Sequence, residues 1–221
     1  MATSDSRTSL LESCYTLMLA HGYAATGVDE ICRHAGVSKG SFYHFFLTKQ
    51  QCALEMLDHH MAGARAVIED GLDLTGLNAT EASIAYVEHF ERLSEKIFQN
   101  GCLIGAFALE LAESHPELRE QVSRIFKDTA AYFEKVLTPL VKASRQKNVP
   151  TPQQLAEQML TVIEGGVVLS KAHRDTRYLS QGLRLFRHYL ETLRPRSRAQ
   201  IHKPAGRKNI RTKLSESGEK P

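Results

Sequence analysis

The sequence predicts an all-α protein: a short helix-turn-helix unit followed by a larger helical bundle. Three observations predict it. Apolar residues recur at helical spacing along nearly the whole chain, and no segment alternates polar and apolar residues as a half-buried strand would. Ser, Thr, Gly and Pro also fall where helices should start and stop. With 221 residues, 42% hydrophobic and 24% charged, the chain can bury one sizeable core, or a small domain joined to a larger one.

Leu10, Cys14 and Leu17 follow i, i+4, i+7 spacing, and Gly22 can end that first helix. A short second helix is predicted over 28–35, with Gly27 as its N-cap and Glu30 in the capping-box position. Gly36-Val37 makes a tight turn, and Ser38 caps a third helix through Phe45. "TKQQ" reads as a second capping box, Thr48 with Gln51, opening a long helix to about Leu74. After the loop "DLTGLNAT", further helices are predicted over 80–99, 102–114 and 116–145. Thr151 as cap with Pro152 at the first helical position starts the next, over 152–174, and a last helix covers 178–193. We therefore expect a helix-turn-helix domain over 1–50, an effector-binding and dimerisation domain over 51–194, and a disordered basic tail over 195–221.

The formal net charge of +3 is unevenly placed, because the tail alone holds eight Lys/Arg against two Glu. That tail could add phosphate contacts or be a solvated extension. No run of about 18 apolar residues exists, and the N-terminus lacks a signal-peptide pattern, so a cytoplasmic protein without membrane contact is expected. Cys14, Cys32, Cys52 and Cys102 have neither CxxC nor metal-type spacing and read as free thiols. The histidines show no metal spacing, and no nucleophile–base pair or phosphate loop is present, so neither a cofactor nor an enzyme is expected.

The stretch "GVSKGSFYHFF" holds the chemistry. A Gly-containing turn between the second and third helices makes a helix-turn-helix, whose third helix enters the DNA major groove N-terminal end first. Gly40 allows close approach, Ser38 and Ser41 can reach phosphates or bases, and Lys39 can contact a guanine edge or a phosphate. Tyr43 and His44 lie one turn on, facing the backbone, while Phe42 and Phe45 share the face that anchors the helix. "GYAATGVDEICRHAGVSKGSFYHFFLTKQQ" resembles the N-terminal DNA-binding region of the TetR family of bacterial transcriptional repressors. The shared features are G-Y/F-x-x-T, V-x-x-I-x-x-x-A-G-V-S, K-G-S-F-Y-x-x-F and the Lys opening the fourth helix, across residues 8 to 55. Position by position, the resemblance places DNA contacts on Thr26, Ser38, Lys39, Gly40, Ser41, Tyr43, His44 and Lys49. Gly27 departs from the Ser or Thr common there.

The resemblance also implies a homodimer whose C-terminal domain binds an inducer. Leu179, Leu183, Phe186, Leu190 and Leu193 form an apolar stripe on the last helix. Gly165 and Gly166 sit inside the penultimate helix, where each costs about 1 kcal/mol against Ala unless another helix crosses closely. The crossing could lie within the chain; the preferred reading is a dimer four-helix interface built on Gly165, Gly166, Leu179, Leu183, Phe186 and Leu190. Two-fold symmetry would then read a pseudo-palindromic DNA operator.

From Cys102 to Leu109 the chain is apolar on every side, so this helix should be central. "GCLIG…LELA…PELR" resembles a branch of the TetR family in which electrophile- or oxidant-responsive members occur. Cys102, at a helix start, is a candidate sensor thiol, with Lys171 as the cation that would favour its thiolate. The plainer reading makes Cys102 a core thiol and Lys171 a snorkelling lysine. A competing signal is a reversible apolar ligand among Phe90, Phe98, Phe107, Tyr132 and Phe133, which are equally ordinary core residues. Glu110 and Glu113 should face solvent or cap a loop. The expected function is a repressor released by a small-molecule or electrophile effector; an activator, or a helical binding module or enzyme, stands as the alternative.

Overall fold

The computed structural model describes residues 2–195; the basic tail expected to be disordered lies outside them apart from Pro195. Among the described residues there are nine helices and no strand: α1 Ala2–His21, α2 Val28–Ala35, α3 Lys39–Phe45, α4 Lys49–Glu69, α5 Ala79–Ile97, α6 Leu103–Glu110, α7 Pro116–Ala143, α8 Pro152–His173 and α9 Arg177–Thr192. The capping chemistry sets most starts. Ser38 accepts from the Ser41 N–H, Thr48 from Gln51, and Thr151 from Gln154 in a full capping box. A further box, Asn78 with Glu81, opens α5 at the end of the stretch read only as a loop.

Two elements are shorter than expected. Helix α4 stops at Glu69, because the chain turns through Gly71 at φ +70°, a left-handed conformation glycine adopts without strain. Helix α6 stops at Glu110, and a turn carries the chain to Pro116, which opens α7 where its missing N–H has no cost.

Two hydrophobic cores result. The first joins α1–α4 to α6 and the first turns of α7 through Leu10, Met18, Phe42, Phe46, Met56, Phe107 and Leu118. The second joins α5, the later part of α7, α8 and α9 through Val87, Phe90, Leu137, Met159 and Leu183. Cys102 packs against both. Helix α9 is locked onto α5 by Glu91, whose carboxylate accepts from Arg184 Nε at 3.0 Å and Arg187 Nε at 2.8 Å. Burial alone would raise the Glu91 carboxyl, yet the two guanidiniums hold it below its ordinary value.

The apolar stripe of α9 belongs to this second core. Leu179, Leu183, Phe186 and Leu190 are at most 5% exposed within one protomer, which corrects the expectation that they form the dimer interface. The two glycines of α8 also divide. A Cβ on Gly166 would meet Leu179 Cα at 2.8 Å, so its crossing partner is α9 of the same chain; a Cβ on Gly165 would meet nothing within 4 Å. Val168, Leu169, Tyr178, Leu185 and Tyr189 are the large apolar residues left exposed on α8 and α9.

Candidate nucleic-acid interface and effector cavity

The turn before α3 is built by Gly36 at φ 69°, with its N–H and that of Val37 returning to the carbonyls of Arg33 and Cys32. Phe42 and Phe46, one turn apart with ring centroids 5.5 Å from each other, are fully buried in the core where α3 meets α1 and α2. Phe45, expected to anchor beside Phe42, packs only partly against this core, because a four-residue step follows the helix face more closely than a three-residue one. The opposite face presents Lys39, Gly40, Tyr43 and His44 to solvent, with Ser38 at its start and Ser41 half-buried. The Lys39 ammonium lies 2.7 Å from Asp29 of α2, which holds it beside the helix start and raises its pKa.

Gly40 distinguishes this face from an ordinary helix surface. A Cβ there would meet only Ser38 Oγ, at 3.7 Å, so nothing inside the protein requires glycine. The position instead leaves the outer surface of α3 bare, which would permit close approach to a groove. Gly40→Ala should leave the melting temperature unchanged or slightly raised, since alanine is about 1 kcal/mol better in a helix. It should still weaken DNA binding in an anisotropy titration.

Two expected DNA contacts are corrected. Thr26 is fully buried, and its hydroxyl donates to the Gly22 carbonyl at 2.7 Å. Lys49 points inward: its ammonium donates to the carbonyls of Tyr23 at 2.9 Å and Thr26 at 3.0 Å, and lies 4.1 Å from the Tyr23 ring centroid. Burial pulls its pKa below the ordinary lysine value. Both residues therefore hold the loop between α1 and α2. Lys49→Ala should destabilise the protein by about 1–3 kcal/mol, the cost of stranding carbonyls. The salt dependence of DNA binding should not change, whereas loss of a phosphate contact would reduce the slope by about 0.9.

The same loop is held from the other side. The Glu110 carboxylate, at the end of α6, accepts from the N–H groups of Tyr23 at 2.9 Å and Ala24 at 2.7 Å. Of the two readings for Glu110, loop capping is the one observed, although the loop lies 86 residues away in sequence. At its other end α6 forms a wall of an apolar cavity of about 270 Å³. Phe90, Phe98 and Phe133 line it as expected, together with Ile104, Ile125, Phe126, Leu160, Ile163 and, from α4, His60 and Met61.

Phe107 and Tyr132 lie elsewhere, which corrects their assignment to a common pocket. Phe107 is fully buried in the first core, edge-on to Tyr23 and about a turn further along α6 than Ile104, the residue that reaches the cavity. Tyr132 donates to Glu69 at 2.6 Å beneath the Arg65 guanidinium.

Cys102 lines the cavity and is partly buried; its sulfur caps α6 by accepting from the Gly105 N–H at 3.5 Å. Burial pushes the thiol up to about 12, and the charge of Glu164 on α8 adds to that rise. The expected thiolate is therefore not favoured. Lys171 is exposed and lies over Gly101 in a separate open cleft with Tyr15 and Leu19. Glu164 was not singled out from the sequence because nothing local separates a half-buried glutamate from a solvated one.

Residues 10–56 match the family profile "Bacterial regulatory proteins, tetR family", and residues 78–182 match "Transcriptional regulator LmrA/YxaF-like, C-terminal domain". The chain belongs to the TetR family. Among TetR-type relatives, the repressor DhaR of Mycobacterium sp. (strain GP1) is 27% identical, with 83% of this chain and 91% of that protein aligned. The regulator LmrA of Bacillus subtilis (strain 168) is 29% identical over 80% of this chain and 92% of its own. A crystal structure of regulatory protein TetR from Rhodobacter sphaeroides shares the fold, with a TM-score of 0.73 at 23% identity, covering 83% of this chain and 98% of that one. This TetR-family chain is thus a DNA-binding helix-turn-helix transcriptional regulator and not an enzyme. None of its described helices is long and apolar enough to cross a membrane.

Proposed function

We propose that the protein is a homodimeric repressor that reads a pseudo-palindromic operator through paired α3 helices. It releases that operator when a small molecule fills the cavity beside α6, or when Cys102 in the cavity wall is modified. One observation carries the reading: a single eight-residue helix has its N-cap, Cys102, in the cavity wall and its last residue, Glu110, bonded to the loop that supports the DNA-reading unit. So short a helix moves as a rigid piece, and a shift at Cys102 reaches Tyr23 and Ala24. An effector biases the two states only by its differential affinity for them.

The exposed apolar residues of α8 and α9, Val168, Leu169, Leu185 and Tyr189, beside the bare backbone of Gly165, support these two helices as the dimer face. Leu185→Asp should yield a monomer with weakened operator binding, read by sedimentation.

The test is an anisotropy titration on DNA from just upstream of the protein's own gene, using untreated protein, electrophile-treated protein and Cys102→Ser. Tight binding that treatment abolishes only when Cys102 is present supports modification as the signal. Equal binding by all three assigns the signal to a reversible occupant. Absence of specific binding to this and other genomic fragments overturns the repressor reading. A thiol raised to about 12 also has a signature. Its alkylation rate should keep climbing with pH beyond the point where an ordinary cysteine, near about 8.5, levels off.

A further inference from the structure

We infer that the cavity takes an apolar molecule bearing one cationic amine, and that the Glu164 carboxylate is its anchor; this rests on the cavity being the effector site. The carboxyl rests against bare backbone at the first turn of α6: a Cβ on Gly105 would lie 2.1 Å from Glu164 Oε2, so a side chain there would displace the carboxyl from its present position.

Among the described residues, no Lys or Arg pairs with this group. Its neighbours one turn away on α8 are Leu160, Thr161, Val167 and Val168, none of them charged, and Lys171 lies two turns on, facing solvent. Across the cavity, the titratable groups are Cys102 on α6 and His60 on α4. The Cys102 thiol is a weak donor, and His60 is stacked on Tyr15 at 4.0 Å with burial disfavouring its charged form. Thr129 is engaged too, its hydroxyl donating to the Ile125 carbonyl at 2.8 Å.

A carboxyl in the wall of a cavity otherwise lined mainly by isoleucines, phenylalanines and other apolar residues, with no Lys or Arg paired to it, is poorly compensated when ionised. Burial accordingly raises its pKa. A ligand ammonium supplies the missing charge where water screens it least, and the faces of Phe90, Phe98, Phe126 and Phe133 suit both an aromatic body and its cation. A neutral hydroxyl gains only a hydrogen bond, for which a glutamine would serve equally well. The volume of about 270 Å³ limits the occupant to roughly one ring with a short chain.

The test is calorimetric titration of the full-length protein with phenylbutylamine and its neutral analogue phenylbutanol, on the native sequence and on Glu164→Gln. Operator anisotropy is followed in parallel. We expect the amine to bind the native protein at least tenfold more tightly than the alcohol, and the preference to vanish in Glu164→Gln while the alcohol still binds. Equal binding of amine and alcohol by the native protein overturns the cationic anchor but leaves the cavity reading intact. A preference that survives Glu164→Gln also overturns it, by placing the cation elsewhere. Binding of neither compound overturns it together with the cavity. Preferential amine binding without operator release upholds the anchor and counts against the release reading. Should Glu164→Gln fail to fold, the amine-to-alcohol ratio of the native protein decides alone.

Discussion

Phe42→Ala is expected to abolish operator binding and to destabilise the protein by about 3–5 kcal/mol, the usual range for emptying a buried phenylalanine site. The argument starts from the length of α3, seven residues, which is too short to be helical by itself. Its conformation therefore depends on the Phe42 and Phe46 rings, both fully buried in the first core. Removing Phe42 leaves Ser38 capping a helix with only half its anchor. The exposed residues of α3 then lose their fixed relation to α2. Tyr43→Ala is the control: this ring is 48% exposed, so stability should hold within about 0.5 kcal/mol, as for an ordinary surface substitution, while affinity falls. Thermal unfolding by circular dichroism together with anisotropy on operator DNA separates the two. An unchanged melting temperature for Phe42→Ala would contradict the packing described.

Gly166→Ala should lower stability by about 1–3 kcal/mol although alanine is the better helix former. The new methyl would lie 2.8 Å from Leu179 Cα and 3.0 Å from its Cδ1. Backbone cannot swing aside as a side-chain tip can, so α9 must move away from α8, and the Glu91 pairing to Arg184 and Arg187 loosens with it. The neighbouring Gly165→Ala meets open space within the protomer and should raise its stability by up to about 1 kcal/mol. If a second copy closes over α8 and α9, the same methyl enters that contact and weakens the dimer. Denaturant unfolding at several protein concentrations reads both effects, since only a change in association depends on concentration.

Much of this was legible locally. Ser38, Thr48 and Thr151 start helices because a side-chain oxygen satisfies an amide three residues on, which needs no knowledge of the fold. Gly36 ends α2 for a similarly local reason, a left-handed residue closing the last carbonyls. The exposed face of α3 follows from seven residues and their spacing. Periodicity likewise marked the stripe of Leu179, Leu183, Phe186 and Leu190 as buried, but it could not say against what. A helix shows the same stripe whether its partner is its own chain or a second one.

The sequence by itself therefore determined the helical class, the caps and the exposed face of α3, since each depends on residues within a turn or two of one another. Only the tertiary structure decided that Lys49 and Thr26 face inward, that Glu110 reaches back to the loop after α1, and that Cys102 meets Glu164 rather than Lys171. Those facts join groups tens of residues apart. Which of them are neighbours follows from how whole helices pack, and the same lysine or glutamate, seen in its own turn of helix, looks identical in either place.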